Sequence, residues 1–266
     1  MFIPQAPEGV SIAGPALGVL DTAYPFTATV TPPGTTVPLT YTWEATEQPP
    51  ATHEGVLSVT DSVTYTWPVT GTKTITVTVA NQRGEVTATH AITLYQLVAD
   101  FTAAPLSGIA PVTVTFTNLT SGPYSDSEWD FGDGITSTLE SPTHTYTLPG
   151  VYTVTLTASG EVGSDTMTKP GYVTVYEPVQ ADFVGEPVVG PAPLTVVFTN
   201  TTTGDYTDSE WGFGDGITGT LDSPTHTYAL PGVYTVSLTA SGLGGTDTVT
   251  KTGYITAHTP VQADFT

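Results

Sequence analysis

Trp129-Asp130-Phe131-Gly132-Asp133-Gly134 is followed by His144-Thr145-Tyr146 and then by Pro149-Gly150-Val151-Tyr152-Thr153-Val154-Thr155-Leu156. The last string alternates apolar and polar side chains, so an extended chain there buries one face and wets the other. Val112-Thr113-Val114-Thr115-Phe116-Thr117 has the same period of two. Its wet positions are all threonine, whose β-branched side chain suits a strand. Ser121-Gly122-Pro123, Gly132-Asp133-Gly134, Ser141-Pro142 and Pro149-Gly150 are turn signals between such runs.

The whole pattern returns. Trp129 recurs as Trp211, Gly132-Asp133-Gly134 as Gly214-Asp215-Gly216, His144 as His226, and Pro149-Gly150-Val151-Tyr152 as Pro231-Gly232-Val233-Tyr234, always 82 positions on. Ala99-Asp100-Phe101 recurs as Ala181-Asp182-Phe183 and again as Ala263-Asp264-Phe265. Residues before position 98 carry a divergent version, with Tyr41-Thr42-Trp43, Tyr65-Thr66-Trp67 and Gly71-Thr72-Lys73-Thr74-Ile75-Thr76-Val77. The reading is a divergent domain at 1–97, domains at 98–179 and 180–262, and the start of a further repeat at 263–266. A unit of this size suits a self-contained sandwich rather than a solenoid coil. About seven short strands, with turns every 8–12 residues or so, predict an immunoglobulin-like sandwich. The short linker Glu177-Pro178-Val179-Gln180 leaves little slack, which predicts an elongated, semi-rigid rod.

Composition narrows the function. The chain has 266 residues, 25 acidic and 4 basic side chains, a formal net charge of −21 and no cysteine. The missing cysteines remove disulfides, zinc-thiolate sites and cysteine nucleophiles. Four basic residues give no footprint for nucleic acid, and no apolar run approaches the ~20 residues of a membrane span. Of the 266 residues, 56 are threonine. Met1-Phe2-Ile3-Pro4 lacks the pattern of a signal peptide. The ending in mid-pattern reads as a piece of something longer, and the repeats and scarce lysine suggest an extracellular or cell-surface setting.

The string from Trp129 to Leu156, and its copy from Trp211, closely resembles the PKD (polycystic kidney disease) domain family. The resemblance is strong over 98–262 and weak over 7–97. It implies an all-β protein of tandem immunoglobulin-like (PKD-type) sandwiches, found mostly outside cells as spacers, adhesion modules or accessory domains beside enzymes. Gly212 departs from the aspartate found at Asp130.

Several motifs suggest chemistry. Asp126, Glu128 and Asp130 alternate like the opening of a calcium loop, but the sixth and twelfth positions are Phe131 and Ser137, so this is no EF-hand. Asp126, Asp130, Asp133 and Asp215 remain candidate Ca²⁺ ligands, with Ca²⁺ the candidate cofactor; the competing reading is that Asp133 and Asp215 hold a glycine-rich turn. His144 and His226 read as strand histidines packed near the tryptophan. Trp43, Trp129 and Trp211 read as core rather than as sugar platforms, and Tyr124 and Tyr206 as surface candidates. Asn118-Leu119-Thr120 and Asn200-Thr201-Thr202 are sequons. Lys169 with Asn118, and Lys251 with Asn200, are candidate isopeptide pairs.

No nucleophile elbow, metal helix or phosphate-cradling loop is present, so no catalytic residue is assigned. The expected function is a non-enzymatic structural or adhesion repeat. Alternatives are a subunit of a surface filament or sheath, and a carbohydrate-binding accessory module of a secreted hydrolase. Expected partners are other protein domains or further copies of the chain, with glycans as a second class.

Overall fold

The computed structural model describes residues 5–261, and these form strands, bridges and turns without a helix. The first domain contains β1 (Gly9–Ala13), β2 (Leu17–Val19), β3 (Tyr24–Thr31), β4 (Leu39–Ala45), β5 (Ala51–Val56), β6 (Thr60–Tyr65), β7 (Gly71–Asn81) and β8 (Gly84–Tyr95). The second has β9 (Phe101–Ala104), β10 (Ser107–Ile109), β11 (Val112–Asn118), β12 (Asp126–Asp130), β13 (Thr136–Ser137), β14 (Thr143–Tyr146), β15 (Gly150–Gly160) and β16 (Gly163–Tyr176). The third has β17 (Phe183–Glu186), β18 (Val189–Pro191), β19 (Leu194–Asn200), β20 (Asp208–Gly212), β21 (Thr218–Gly219), β22 (Thr225–Tyr228), β23 (Gly232–Gly242) and β24 (Gly245–His258).

Each domain is a two-sheet sandwich. In the second, a five-stranded sheet in the order β10-β16-β15-β12-β13 faces a three-stranded sheet in the order β14-β11-β9. The third repeats this as β18-β24-β23-β20-β21 against β17-β19-β22, and the first as β2-β8-β7-β4-β5 against β1-β3-β6. Eight strands per domain exceed the seven or so expected. The surplus comes from pieces such as β10 and β13, three and two residues long, too short to show any alternation. β10 also pairs parallel to β16, a partner 67 positions away at Ser107↔Thr174.

Alternation sorts the side chains as the pattern requires. Val154, Leu156 and Ala158 of β15 face inward with no exposure, as do Val114 and Phe116 of β11. They enclose Trp129, also fully buried, between Phe101 and Phe116. Fully burying one such apolar side chain contributes roughly 1.5–3 kcal/mol. Trp211 and Trp43 sit in the corresponding sheets, each fully buried. The outward threonines do more than face water. Thr155 meets Thr168 at 3.1 Å, Thr157 meets Thr166 at 3.0 Å and Thr113 meets Thr145 at 2.8 Å, so hydroxyls pair across neighbouring strands.

Candidate functional site

The repeated glycine turn is built from a backbone necessity. After β12 the chain reverses directly over β15. Gly132 has φ +82°, and a Cβ there would stand 2.3 Å from the Thr153 carbonyl oxygen. Only glycine fits both the left-handed backbone and that approach. Thr153 lies where the pairing of β15 with β16 shifts register, between Tyr152 and Val154. Gly214 repeats the arrangement, with φ +84° and 2.3 Å to the Thr235 oxygen.

Asp133 then does two things. Its Oδ1 accepts the Ile135 N–H at 3.1 Å, closing the turn, and its Oδ2 lies 2.7 Å from His144 Nε2. The His144 ring lies flat on Phe131, with centroids 4.2 Å apart and planes 2° apart, and meets Tyr146 edge-on. Tyr146 Oη donates to the Phe131 carbonyl at 3.0 Å. The result is a clasp of turn, edge strand and core. The histidine packs on Phe131 rather than on the tryptophan named as its expected neighbour. Asp215, His226, Phe213 and Tyr228 repeat the clasp. Burial, and then the nearby Asp133 or Asp215 charge, pushes the Tyr146 and Tyr228 phenols well above their ordinary value.

The four candidate calcium ligands are not gathered at one point. Asp126 and Asp130 lie on one face of β12 but four residues apart, about 13 Å along a strand. Asp126 accepts from Ser125 Oγ at 2.6 Å, and Asp130 accepts the Gly132 N–H at 2.8 Å. Asp133 and Asp215 are engaged in the two clasps of separate domains. Among the described residues, no group of three or more His, Asp or Glu is placed to hold a metal ion.

What the two repeats do share is a shallow groove on the outer face of the five-stranded sheet. In the third domain it has about 650 Å³ and is lined by Tyr206, Asp208, Glu210, Asp222, Thr239 and Ser241, among others. In the second it has about 550 Å³, with Asp126, Glu128, Glu140, Thr157 and Ser159 in the corresponding places. Tyr124 and Tyr206 stand beside these grooves, and Tyr124 Oη donates to Glu140. That hydrogen bond to a carboxylate holds the Tyr124 phenol above its ordinary value.

The remaining candidates resolve into structural roles. Trp43, Trp129 and Trp211 offer no face to a sugar, because all three are fully buried. Asn118 Nδ2 donates to Ser127 Oγ at 3.1 Å while its Oδ1 accepts the Thr120 N–H at 2.9 Å, and Asn200 does the same with Ser209 and Thr202. Both sequon asparagines are therefore turn formers. The isopeptide pairing is not assembled, since each lysine is drawn elsewhere. Lys169 Nζ lies 3.0 Å from Asp100, donates to the Phe101 carbonyl and sits over the Phe101 ring. Lys251 does likewise with Asp182 and Phe183. The hydrogen bond from Lys169, then the Phe101 N–H, holds the Asp100 carboxyl below its ordinary range.

Sequence reasoning missed the first domain's own clasp. Asp61 Oδ2 accepts the Trp43 indole N–H at 2.8 Å and lies 2.7 Å from His53 Nδ1. Its only trace in the sequence is an aspartate on a strand of otherwise polar and apolar neutral residues, Thr60–Tyr65. Burial, with Asp61 nearby, pushes the Tyr41 phenol up to about 12.

A sequence profile described as PKD domain matches residues 99–175 and 184–257, and a second so described matches 9–94. A collagenase, ColA, of Bacillus cereus is 34% identical over 108 residues, covering 39% of this chain and 11% of the collagenase. The match thus spans about a tenth of that relative's own length. The titin fragment I67–I69 superposes with a TM-score of 0.61 at 13% identity, covering 97% of this chain and all of the fragment. A PKD domain of an M14-like peptidase from a Thermoplasmatales archaeon is 21% identical over 35% of this chain, with a TM-score of 0.29.

Proposed function

Because the chain belongs to the PKD domain family, as tandem immunoglobulin-like repeats, we propose that it is a non-enzymatic spacer and adhesion module of a larger extracellular or cell-surface protein. The observation that carries this reading is the closure of each domain around its own core. Trp43, Trp129 and Trp211 are each fully buried within separate clusters, so each unit is complete without its neighbours. A chain of complete units joined by short linkers is suited to setting distance. The outer faces are threonine ladders and carboxylates, which keep such a rod solvated and apart from others of its kind. The similar segment in a collagenase supports an accessory role beside an enzyme as one setting. Asp126, Asp130, Asp133 and Asp215 are retained as the residues to watch for Ca²⁺.

Light scattering after size exclusion, run with and without EDTA, tests the proposal. A monomer near 27.7 kDa that elutes early for its mass, as a rod does, is the expected result. Large ordered assemblies would replace it with the filament reading. Assemblies or elution that change in EDTA would assign Ca²⁺ to the aspartates.

A further inference from the structure

The two joints between domains occupy equivalent places yet are fastened differently. Both begin with the same bridge. Val98 exchanges backbone hydrogen bonds with Ser121, and Gln180 with Thr203. Beyond that bridge the second joint adds four more. The Asp205 N–H donates to the Glu177 carbonyl at 3.1 Å, and the Glu177 N–H donates to Asp205 Oδ2 at 2.7 Å. The Gly244 N–H donates to the Asp205 carbonyl at 2.8 Å, and the Val179 N–H donates to the Gly244 carbonyl at 3.0 Å. Linker, loop and hairpin tip are thereby sewn into one piece.

Two residues make this possible. Gly244 is buried at the tip of the β23–β24 hairpin, where a Cβ would stand 2.0 Å from the Glu177 oxygen. Asp205 supplies both an amide N–H and a carboxylate. At the first joint the same positions, 82 residues earlier, are Val162 and Pro123. Proline has no N–H to donate, and a valine side chain bars the close approach that Gly244 allows. None of the four added hydrogen bonds has a counterpart there among the described residues.

Packing follows the same division. Val179 is 7% exposed, in a small cluster with Ala181 and Ala240 that anchors the second linker into the third domain. Ile109 of the second domain reaches Gly245, its Cδ1 3.1 Å from where a Cβ would stand. Gly163, the equivalent at the first joint, has nothing within 4 Å. There Val162 is buried, and a groove of about 320 Å³ lies between Leu17 of the first domain and Pro123, Glu161 and Val162 of the second.

We infer that the chain is a two-body device: domains two and three form one stiff arm through the Asp205–Gly244 lock, and the joint between domains one and two is the hinge. Fixing the second linker by hydrogen bonds to both the loop and the hairpin removes the backbone freedom that the first linker keeps. The inference concerns the joints alone and stands whether or not the rod is a spacer.

The absence of cysteine lets spin labels be placed cleanly. Thr89→Cys, Thr168→Cys and Thr250→Cys put one exposed label in each domain, and paired labels report distance distributions by electron–electron resonance. The distribution between domains two and three is expected to be the narrower. Asp205→Pro with Gly244→Val, which copies the first joint into the second, is expected to broaden it to the width of the first. Asp205→Ala, which keeps the N–H and loses only the carboxylate, is expected to give an intermediate width. Equal widths for both joints in the unaltered chain overturn the inference without any need for the variants. An unchanged second-joint width in a folded double variant overturns the role given to the lock.

Discussion

The first domain and the two that follow hold the same tryptophan in the same place by different means. Trp43 pairs opposite Val77 and Trp129 opposite Leu156, and both rings are fully buried. A buried indole N–H needs an acceptor. For Trp129 it is the Leu139 carbonyl at 2.9 Å, whereas for Trp43 it is the Asp61 carboxylate at 2.8 Å. An Asp–His pair ties the edge strand in each domain, but the partners have changed seats. Asp133 comes from the turn after β12 and His144 from β14, while Asp61 stands on β6 and His53 on β5. Lys73 of β7, 3% exposed and paired with Glu47, also stands where Tyr152 packs on Tyr146 in the second domain. The sandwich demands that these polar groups be satisfied and is indifferent to which residue does it.

Four measurements would break or sharpen this comparison, and hydrogen exchange read domain by domain suits most of them, because a three-domain chain need not unfold in one step. The largest effect is expected from Gly132→Ala. The new Cβ would meet the Thr153 carbonyl at 2.3 Å in a left-handed backbone, costing the second domain about 3 kcal/mol or more. Unchanged protection in that domain would remove the glycine turn from its central place.

Next comes Asp61→Ala against Asp133→Ala. Losing Asp61 orphans the buried Trp43 N–H as well as releasing His53, so about 2–3 kcal/mol is expected in the first domain. Losing Asp133 frees His144 and the Ile135 N–H and leaves Trp129 bonded, so about 1–2 kcal/mol is expected in the second. Equal losses would mean that the indole contact adds nothing.

The third concerns alkaline pH. Tyr41, Tyr146 and Tyr228 all titrate above the ordinary tyrosine value, so each stabilises its fold fully below about pH 10 and loses that contribution as pH rises through the folded value. Burial, with Asp61 nearby, pushes Tyr41 up to about 12, and burial with Asp133 or Asp215 pushes Tyr146 and Tyr228 up as well. Phenolate absorbance should therefore show a component that ionises above the ordinary tyrosine value, and Tyr41→Phe, Tyr146→Phe and Tyr228→Phe should each diminish it. Ionisation of all the tyrosines at the ordinary value would contradict the burial of these three. The smallest effect is expected from Gly212→Asp, which restores in the third domain the carboxylate that caps Gly132 in the second. The new Cβ meets only the Ser237 Oγ, at 2.8 Å, and that hydroxyl can rotate away about its χ1, so a change within about 0.5 kcal/mol is expected. A loss well beyond that would show that the two turns are not equivalent.

The strand pattern, the repeat and the family were legible because they rest on local rules. Alternation in Val151–Thr157 fixes which side chains can face a core, and turn residues fix where the chain reverses. The short strands β10 and β13 were not legible, because two or three residues carry no period. Of the candidate site, the aspartates of the glycine turns were visible as turn formers. Their histidine partners were visible only as strand residues, since His144 and Asp133 are 11 positions apart and meet through a stacked Phe131.

By itself, the sequence determined that this chain is all-β, that it repeats and that it belongs with the PKD domains, since each follows from the order of neighbouring residues. Tertiary structure alone decided that Asp61 holds Trp43, that Lys169 turns to Asp100 and not to Asn118, and that Gly244 joins hydrogen bonds at one joint that Val162 does not make at the other. Those outcomes depend on approaches of a few ångströms between groups far apart in the chain, and such distances are set by the packing of whole sheets rather than by any local pattern.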